Sequence, residues 1–353
     1  MTHSWVTSLL KWYSTSKREM PWREISNPYY TWISEMMLQQ TQVATVIPYF
    51  NRFIQTFPNI KSLADSDLQV VLKCWEGLGY YSRARNLHKA AKIIVNEYDA
   101  KLPSDFVELQ TLPGIGPYCA AAITSIAFYN PVPVVDGNVL RVFTRFWGIF
   151  DDIRQNKVKH ILFEKLSAYI KDVNASDFNQ AIMECGALIC TPKNPNCECC
   201  PLSATCFAYV SQKQSELPVK SKSSPTPHYD IAVALIKYGD KVLIAKRNDN
   251  QMLGGLWEFP GGKVEANESI QDTVIREVRE ELSLDINVDQ KITVIKHAYS
   301  HFKISMYAFW CSLLTPIGDV KTHETLKWVH PIDFKDYPFP KANIKLFDYL
   351  KSV

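Results

Sequence analysis

Apolar residues in the first half of the chain recur at intervals of three and four positions. Ile33, Met36 and Met37 follow this spacing, which places apolar side chains on one face of an α-helix. Proline or glycine separates most of the segments, and Ser, Thr or Asp often stands where a helix would begin. The pattern from Ser4 to about Ala187 predicts an all-α domain. Further helices are predicted near 62–74, 82–98, 117–128, 138–149, 157–171 and 176–188.

The apolar period changes to two in the last third of the chain. Ile231, Val233 and Leu235 alternate with smaller residues, and Gly239-Asp240 gives a turn signal before the next apolar run. This period indicates a separate α+β domain. Its other predicted elements are a strong helix at about 268–282, more strand at 291–314 and a closing helix near 341–351.

A stretch of different composition separates the two patterns. From Ser215 to Asp230 the sequence SELPVKSKSSPTPHYD is short of large apolar residues and rich in Ser, Pro and Lys, which is typical of an exposed linker. We therefore predict a multidomain chain with an all-α domain at 1–214, a linker at 215–229 and an α+β domain at 230–353.

The composition is that of an ordinary globular protein. It is 46% hydrophobic and 21% charged, and no apolar run approaches the roughly 20 residues that a bilayer span needs, so no membrane association is expected. The formal net charge of +3 is too small to indicate a nucleic-acid partner by itself, so any phosphate-binding surface must be local. The first residues lack the basic and apolar regions of a signal peptide, and a cytoplasmic location is expected.

The cysteines are concentrated in one loop. There are nine, an odd number without a secretory signal, which argues against a disulfide framework. The spacing Cys190-x6-Cys197-x2-Cys200-x5-Cys206 suits either a [4Fe–4S] cluster or a tetrahedral zinc, although zinc ribbons more usually show two Cys-x2-Cys knuckles. Cys199 competes with Cys200 as a ligand, and the spacing favours Cys200. The whole pattern resembles the iron–sulfur loop of the endonuclease III and MutY glycosylases.

A glycine-rich loop lies between two predicted helices at 112–118 (LPGIGPY). Gly114 and Gly116 allow a tight turn whose free N–H groups, with the following helix N-terminus, would bind a DNA phosphate. A Gly-x-Gly loop alone is more often a plain turn. Here it precedes the run VVDGNVLRV at 134–142. The pair resembles the signature of the helix-hairpin-helix glycosylase superfamily, in which Asp136 would be the catalytic aspartate.

An aspartate suits the chemistry of that superfamily. Cleavage of a purine N-glycosidic bond develops oxocarbenium character on the sugar, which a fixed carboxylate stabilises electrostatically or captures covalently. Asp136 stands where a helix would begin, and we expect the helix N-terminus to keep it ionised. In isolation the same residue could equally be an ordinary N-cap.

Glu35 is the candidate for a second carboxyl group. Adenine leaves badly as an anion, so an acid must protonate it in the transition state. Glu35 is a lone charge in largely apolar sequence, and burial there would raise its pKa and favour the protonated form. A solitary helical glutamate is usually a solvated charge. However, the surrounding run WISEMMLQQTQ at 32–42 closely resembles the MutY motif.

Three more segments resemble MutY-type adenine glycosylases, namely REMPWR at 18–23, GLGYYSRAR at 77–85 and NQA at 179–181. The resemblance implies a role for each matching residue. The implied adenine pocket contains Arg18, Met20, Trp22, Glu35 and Gln180. Tyr118 and Asn138 would position Glu35 and Asp136. The residues that would insert into the duplex and contact an oxidised guanine are Gln40, Thr41, Leu78 and Tyr80. Inserted side chains offset the stacking energy that is lost when a base is flipped.

Tyr118 bears on the type of reaction. Related bifunctional enzymes that nick the strand carry a Schiff-base lysine at this place, because an amine must attack the sugar. A tyrosine cannot do so. Monofunctional base removal by water is therefore expected.

The second domain contains a long acidic motif. Gly262-x5-Glu268-x7-Arg276-Glu277-Val278-x-Glu280-Glu281-x-Ser283-Leu284 resembles the Nudix box, except that Ser283 replaces a glycine. Many MutY-type chains end in a Nudix-like domain that recognises 8-oxoguanine. Tyr299, Ser300 and His301 fall where that family has a Phe-Ser-His loop on the damaged base, and the change from Phe to Tyr adds a hydroxyl.

These motifs identify the chain as a member of the MutY-type adenine DNA glycosylases. The resemblance implies a [4Fe–4S] cofactor and a monomer that acts on double-stranded DNA with A·8-oxoG or A·G mispairs. One alternative is an endonuclease III-like glycosylase/lyase, which Tyr118 disfavours. Another is a Nudix-type nucleotide pyrophosphohydrolase with a nucleic-acid-binding helical domain, in which Glu35 and Asp136 would have no function.

Overall fold

A computed structural model describes residues 3–23, 27–221, 225–249, 251–316 and 325–350. The chain forms two compact units, the helical unit (1–65 with 86–223) and the C-terminal unit (66–85 with 224–353). The division agrees with the predicted helical and α+β halves but differs from the predicted boundary, because 66–85 belongs to the C-terminal unit. Side chains of this segment bond to the main chain of the C-terminal half, for example Gln69 to the carbonyl of Gly255 and Arg85 to that of Gly254.

The first half of the chain is helical, as predicted. One predicted helix, 62–74, is instead two, because the Asp67 side chain accepts the N–H of Gln69 and starts a new helix. The helices are α1 (Ser4–Ser16), α2 (Pro28–Leu38), α3 (Val43–Thr56), α4 (Ile60–Ala64), α5 (Leu68–Trp75), α6 (Ser82–Glu97), α7 (Phe106–Thr111), α8 (Pro117–Ile126), α9 (Gly137–Trp147), α10 (Asn156–Ile170), α11 (Ala175–Leu188) and α12 (Phe207–Val210).

An aromatic core lies beneath α1, α9 and α11. Trp5 packs against Phe143 and Phe178, with ring centroids 5.6 and 6.1 Å away. Burial of such large rings is the main stabilising contribution of a core. It also fixes the N-terminus of α9, where Asp136 stands, relative to α11.

Part of the predicted linker at 215–229 is bonded to the helical unit. Leu217 is buried, and Arg145 Nε donates to its carbonyl at 2.7 Å. The N–H of Ile153 donates to the carbonyl of Val219. The sequence misses this attachment because one apolar residue in a polar stretch carries little periodic signal.

The C-terminal unit contains a mixed sheet in the order β3-β2-β1-β6-β5, in which β1 and β6 are parallel and the other pairs antiparallel. In addition, β4 pairs with β1 and β7 with β2. Its elements are β1 (His228–Tyr238), β2 (Lys241–Lys246), β3 (Trp257–Glu258), β4 (Gly261–Lys263), α13 (Ile270–Leu282), β5 (Ile286–Ala298), β6 (Lys303–Leu313), β7 (Leu326–Val329) and α14 (Lys341–Ile344).

The C-terminal unit contains a helix at each of the two predicted places, and the second is shorter than predicted. The predicted helix at 268–282 is α13, which Ser269 caps by accepting the N–H of Asp272. The predicted closing helix at 341–351 is wrong in its length, since α14 has four residues and a 3₁₀ turn follows at Phe347–Tyr349. Within the described residues, no helix has the length and apolar character that a membrane span requires.

Candidate active site

A cavity of about 580 Å³ opens in the helical unit between the segment 18–23 and the helices α2, α8, α9 and α11. It brings together most of the residues that the sequence predicts for an active site. The predicted residues that line it are Arg18, Met20, Trp22, Glu35, Thr41, Tyr118, Asp136, Asn138 and Gln180.

Glu35 lies on α2, which starts where the Asn27 side chain accepts the N–H of Tyr29. The helix is buried almost throughout, and Glu35 is 5% exposed. The Tyr118 hydroxyl donates to Glu35 Oε2 at 2.6 Å. Burial raises the pKa of Glu35 to about 7 and outweighs this hydrogen bond, which lowers it. The predicted upward shift is confirmed, and the carboxyl group is partly protonated at neutral pH.

Asp136 is the N-cap of α9. Its two carboxylate oxygens accept from the N–H of Val139 at 2.7 Å and from Asn138 Nδ2 at 2.8 Å. Burial raises the pKa of Asp136, and these hydrogen bonds only partly offset it. The helix N-terminus was expected to keep Asp136 ionised, and the N–H of Val139 does lower its pKa, but burial has the larger effect. Arg141 Nη2 donates to Asn138 Oδ1 at 2.8 Å and so fixes the amide that holds the carboxylate.

An ion-pair network around the buried Glu184, at one side of the cavity, was not predicted. Glu184 accepts from Arg18 Nε at 2.7 Å and Nη2 at 2.9 Å, and from Arg23 Nη2 at 3.0 Å. Burial alone would raise the pKa of Glu184, but the two arginines outweigh it and lower that pKa to about 2. Glu184 therefore holds Arg18 and Arg23 in place. The only sequence signal was an acid in the less polar second half of α11.

The residues that the resemblance implies for contact with the oxidised guanine belong to both units. Gln40 is exposed at the end of α2, with a φ of 59°, and belongs to the helical unit with Thr41. Leu78 and Tyr80 belong to the C-terminal unit. Leu78 is 7% exposed, whereas Tyr80 is half-buried.

The Tyr-Ser-His loop (Tyr299–His301) joins β5 to β6. The Tyr299 ring stacks on Phe302 with centroids 4.8 Å apart, and its hydroxyl accepts a backbone hydrogen bond from Ala342. The additional hydroxyl of Tyr299 is therefore accommodated. Ser300 and His301 remain exposed.

The predicted hairpin joins α7 to α8. Gly114 has a φ of 81°, and an added Cβ would lie 2.7 Å from Asn86 Cβ, so no other residue fits there without strain. Gly116 is exposed, with open space where a Cβ would stand. Pro117 starts α8, as is common at the first helical position. The hairpin thus has the form that the sequence predicts.

The four cysteines at the predicted spacing, Cys190, Cys197, Cys200 and Cys206, line one small pocket of the helical unit. Arg145 Nη1 lies 3.3 Å from Cys190 Sγ, where a cation would offset the negative charge of thiolates. Cys199 is exposed. Among the described residues, no group of three or more Cys, His, Asp or Glu side chains has the geometry to hold a metal ion.

The Nudix-like box folds as a loop and helix. Arg276 pairs with Glu268 at 2.8 Å and with Glu277 and Glu280 at 3.0 Å each. A Cβ at Gly262 would lie 2.2 Å from the Glu277 carboxyl group. A side chain at position 262 would therefore have to displace the Glu277 carboxyl group.

Both halves of the chain match known families. Residues 33–168 match the HhH-GPD superfamily of base excision DNA repair proteins, and residues 232–349 match the NUDIX domain family. A solved structure of a thermostable thymine-DNA glycosylase is 28% identical with a TM-score of 0.54 and covers 58% of this chain and 95% of its own. The helical unit is thus of the helix-hairpin-helix glycosylase class.

Full-length relatives specify the family. The chain is 36% identical to the adenine DNA glycosylase of Buchnera aphidicola subsp. Schizaphis graminum, over 97% of each chain. It is 31% identical to that of Homo sapiens, over 96% of this chain and 72% of the relative. The chain therefore belongs to the adenine DNA glycosylases, which hydrolyse the bond between adenine and its sugar in base excision repair. Its partner is DNA, and glycosylases of this family and of endonuclease III carry a [4Fe–4S] cluster.

Proposed function

We propose that the chain removes adenine paired with 8-oxoguanine or guanine, by general acid catalysis from Glu35 and stabilisation of the sugar cation by Asp136. The observation that carries this proposal is the occurrence of both carboxyl groups in one cavity, with the pKa of Glu35 raised to about 7. An acid with a pKa near neutrality combines a useful protonated fraction with a useful driving force for proton transfer.

The proposed reaction consumes only water besides the DNA. Glu35 gives its proton to the departing adenine as the bond to C1′ breaks, and the electron pair of that bond stays with the base. Asp136 stabilises the oxocarbenium character at C1′, or bonds to that carbon until water replaces it. The water oxygen bonds to C1′ and its proton returns to Glu35. Because position 118 is a tyrosine, no Schiff base forms and the strand stays intact.

The adenine must leave the duplex to enter the cavity. We propose that Arg18, Met20, Trp22 and Gln180 surround the flipped base. The Glu184 network supports this role, since it fixes the Arg18 guanidinium at the cavity wall. Gly114 and Gly116 would bind a phosphate of the same strand, for which the open space at Gly116 gives room.

The C-terminal unit is proposed to recognise 8-oxoguanine. Tyr299 is anchored by Phe302 and Ala342, which leaves Ser300 and His301 available as hydrogen-bonding groups on an ordered loop. Gln40, Thr41, Leu78 and Tyr80 would occupy the space of the flipped base and contact its partner. Leu78 would have to become exposed to take part. Hydrolysis of nucleotides is not part of this proposal.

The cluster is assigned to Cys190, Cys197, Cys200 and Cys206. Their four sulfurs are a suitable donor set for a [4Fe–4S] cluster, and Arg145 supplies a compensating charge. The cluster would stabilise the loop that carries Lys193 toward a phosphate.

One assay tests the proposed function. The protein is incubated with a duplex that holds adenine opposite 8-oxoguanine, and the product is then cleaved with alkali at abasic sites. We expect strand breaks at the adenine only after alkali. Breaks before alkali would indicate a lyase, and the absence of breaks in both cases would refute adenine removal.

A further inference from the structure

The 77–80 turn (Gly77–Tyr80) lies beside the Tyr-Ser-His loop in the C-terminal unit. The rings of Tyr80 and His301 meet edge to face, with centroids 6.2 Å apart. Gly77, Gly79 and Tyr80 all have positive φ, and for a tyrosine this conformation is strained. A strained turn keeps its shape only where its surroundings hold it.

Arg83 and Trp75 hold the turn from within. Arg83 is 6% exposed, and its Nη2 donates to the carbonyls of Gly79 at 3.2 Å and Leu78 at 3.4 Å. Its guanidinium lies 5.4 Å from the ring centroids of both Trp75 and Tyr80. Burial lowers the pKa of Arg83 to about 10, so the group stays charged at neutral pH. These contacts fix the shape of the turn but do not attach it to the rest of the unit.

Glu76 attaches the first end of the turn. Its Oε1 accepts the N–H of Phe339 at 2.9 Å, and its Oε2 accepts from Lys73 Nζ at 2.7 Å. The same ammonium donates to the carbonyl of Tyr337 at 3.1 Å. Glu76 directly precedes the turn, so its bond to Phe339 limits the movement of Gly77.

Tyr81 attaches the second end of the turn. Its hydroxyl accepts the N–H of Gly77 at 3.2 Å and donates to the carbonyl of Phe339 at 3.4 Å. Both ends of the turn are therefore bonded to the main chain of one residue, Phe339. That residue is itself buried in the core of the unit.

We propose that Glu76 is a positioning residue for lesion discrimination, because its bond to Phe339 holds Tyr80 at the place where it meets His301. The inference rests on the proposed recognition of 8-oxoguanine by Tyr80 and the Tyr-Ser-His loop. Glu76 touches no substrate in this proposal. It acts by holding the two contacts in one arrangement.

The test compares Glu76→Ala and Glu76→Gln in the full-length protein. Single-turnover excision is measured at several enzyme concentrations with A·8-oxoG and A·G duplexes. We expect Glu76→Ala to lower the preference for A·8-oxoG about tenfold, as for the loss of one charge-assisted hydrogen bond, with A·G excision within about twofold of wild type. Glu76→Gln keeps an oxygen for the N–H of Phe339 and should recover most of the preference.

A matched control is Glu216→Ala. Glu216 pairs with Lys213 three residues away at 2.7 Å, as Glu76 does with Lys73, but lies in the helical unit. It should leave the preference unchanged. A parallel fall of A·8-oxoG and A·G excision in Glu76→Ala would show a merely structural role and overturn the inference. A Glu76→Gln variant no better than Glu76→Ala would also overturn it.

His301→Ala separates this inference from the proposed function. If His301→Ala leaves the preference intact, the proposed recognition fails and the role of Glu76 fails with it. If His301→Ala abolishes the preference but Glu76→Ala does not change it, only the positioning role fails. We expect the double variant to have the same preference as His301→Ala alone, because a positioning residue has no effect once its contact is gone.

Discussion

The Tyr118 hydroxyl donates to the Glu35 carboxylate at 2.6 Å within the cavity that also contains Asp136. This hydrogen bond favours the ionised form of Glu35, while burial favours the protonated form and prevails. The charge of Asp136 raises the pKa of Glu35 further. Burial raises the pKa of both carboxyl groups, and that of Glu35 reaches about 7. The proposed reaction requires that Glu35 hold a proton while Asp136 is ionised.

Removal of the Tyr118 hydroxyl should shift the pH dependence of adenine release. With Glu35 as the proposed general acid, the single-turnover rate of wild type should fall as the pH rises through about 7. Tyr118→Phe removes a hydrogen bond to the ionised form of Glu35, so the pKa of Glu35 should rise. The decrease in the single-turnover rate should then occur about one pH unit higher. Rate profiles from pH 5 to 9 measure this shift. An unchanged profile would show that Glu35 is not the group that titrates.

Glu35→Gln should abolish adenine release and leave binding to mismatched DNA nearly unchanged, because the substitution preserves shape. It should also stabilise the protein at high pH. The folded protein keeps the Glu35 proton up to about pH 7, whereas the unfolded chain loses it near the ordinary pKa of 4.5. The folded state thus binds more protons in this window, and the free energy of unfolding falls as the pH rises through it.

Urea denaturation of wild type and Glu35→Gln at pH 4 and pH 8 measures the second effect. We expect equal stability at pH 4 and a gain for Glu35→Gln of up to about 3 kcal/mol at pH 8. Equal stability at both pH values would contradict the raised pKa of Glu35. Loss of DNA binding together with activity would instead make Glu35 a structural residue.

The proposed catalytic pair could be selected from the sequence because each carboxyl group lies in a short contiguous motif. Glu35 stands out as a charge among apolar residues, and Asp136 follows the glycine hairpin. Glu184 could not be predicted in the same way. Its role depends on Arg18 and Arg23, which lie more than 160 positions earlier in the chain. No local pattern reports such a contact.

The boundary between the units illustrates the same limit. Composition marks the change of pattern near 215–229, and a helical period assigns 66–85 to the first domain. The structure places that segment in the C-terminal unit because Gln69, Glu76 and Arg85 bond to the main chain there. Periodicity predicts a helix but not its neighbours.

Purified protein should be yellow-brown and contain about four irons per chain, as expected for one cluster with four cysteine ligands. Serine at Cys190, Cys197, Cys200 or Cys206 should lower the iron content and the visible absorbance. Cys199→Ser is the matched control and should change neither, since Cys199 is exposed and lies outside the pocket of the other four. Stoichiometric zinc in protein prepared without oxygen would contradict the assignment.

Ser283→Gly should stabilise the C-terminal unit. Ser283 ends α13 in the left-handed conformation with a φ of 56°, where its N–H donates to the carbonyl of Arg279. The Nudix box has a glycine at this position, and a side chain there costs about 1 kcal/mol of strain. Substitution by glycine removes this strain, but part of the gain is lost because glycine has more conformational freedom in the unfolded chain. We expect a gain of about 0.5 kcal/mol, seen as a higher melting temperature for the loss of β-sheet signal. Ser283→Ala is the control, because it removes the hydroxyl but keeps the Cβ, and it should give no gain. Equal gains in both variants would mean that the hydroxyl, not the backbone conformation, is the source of strain.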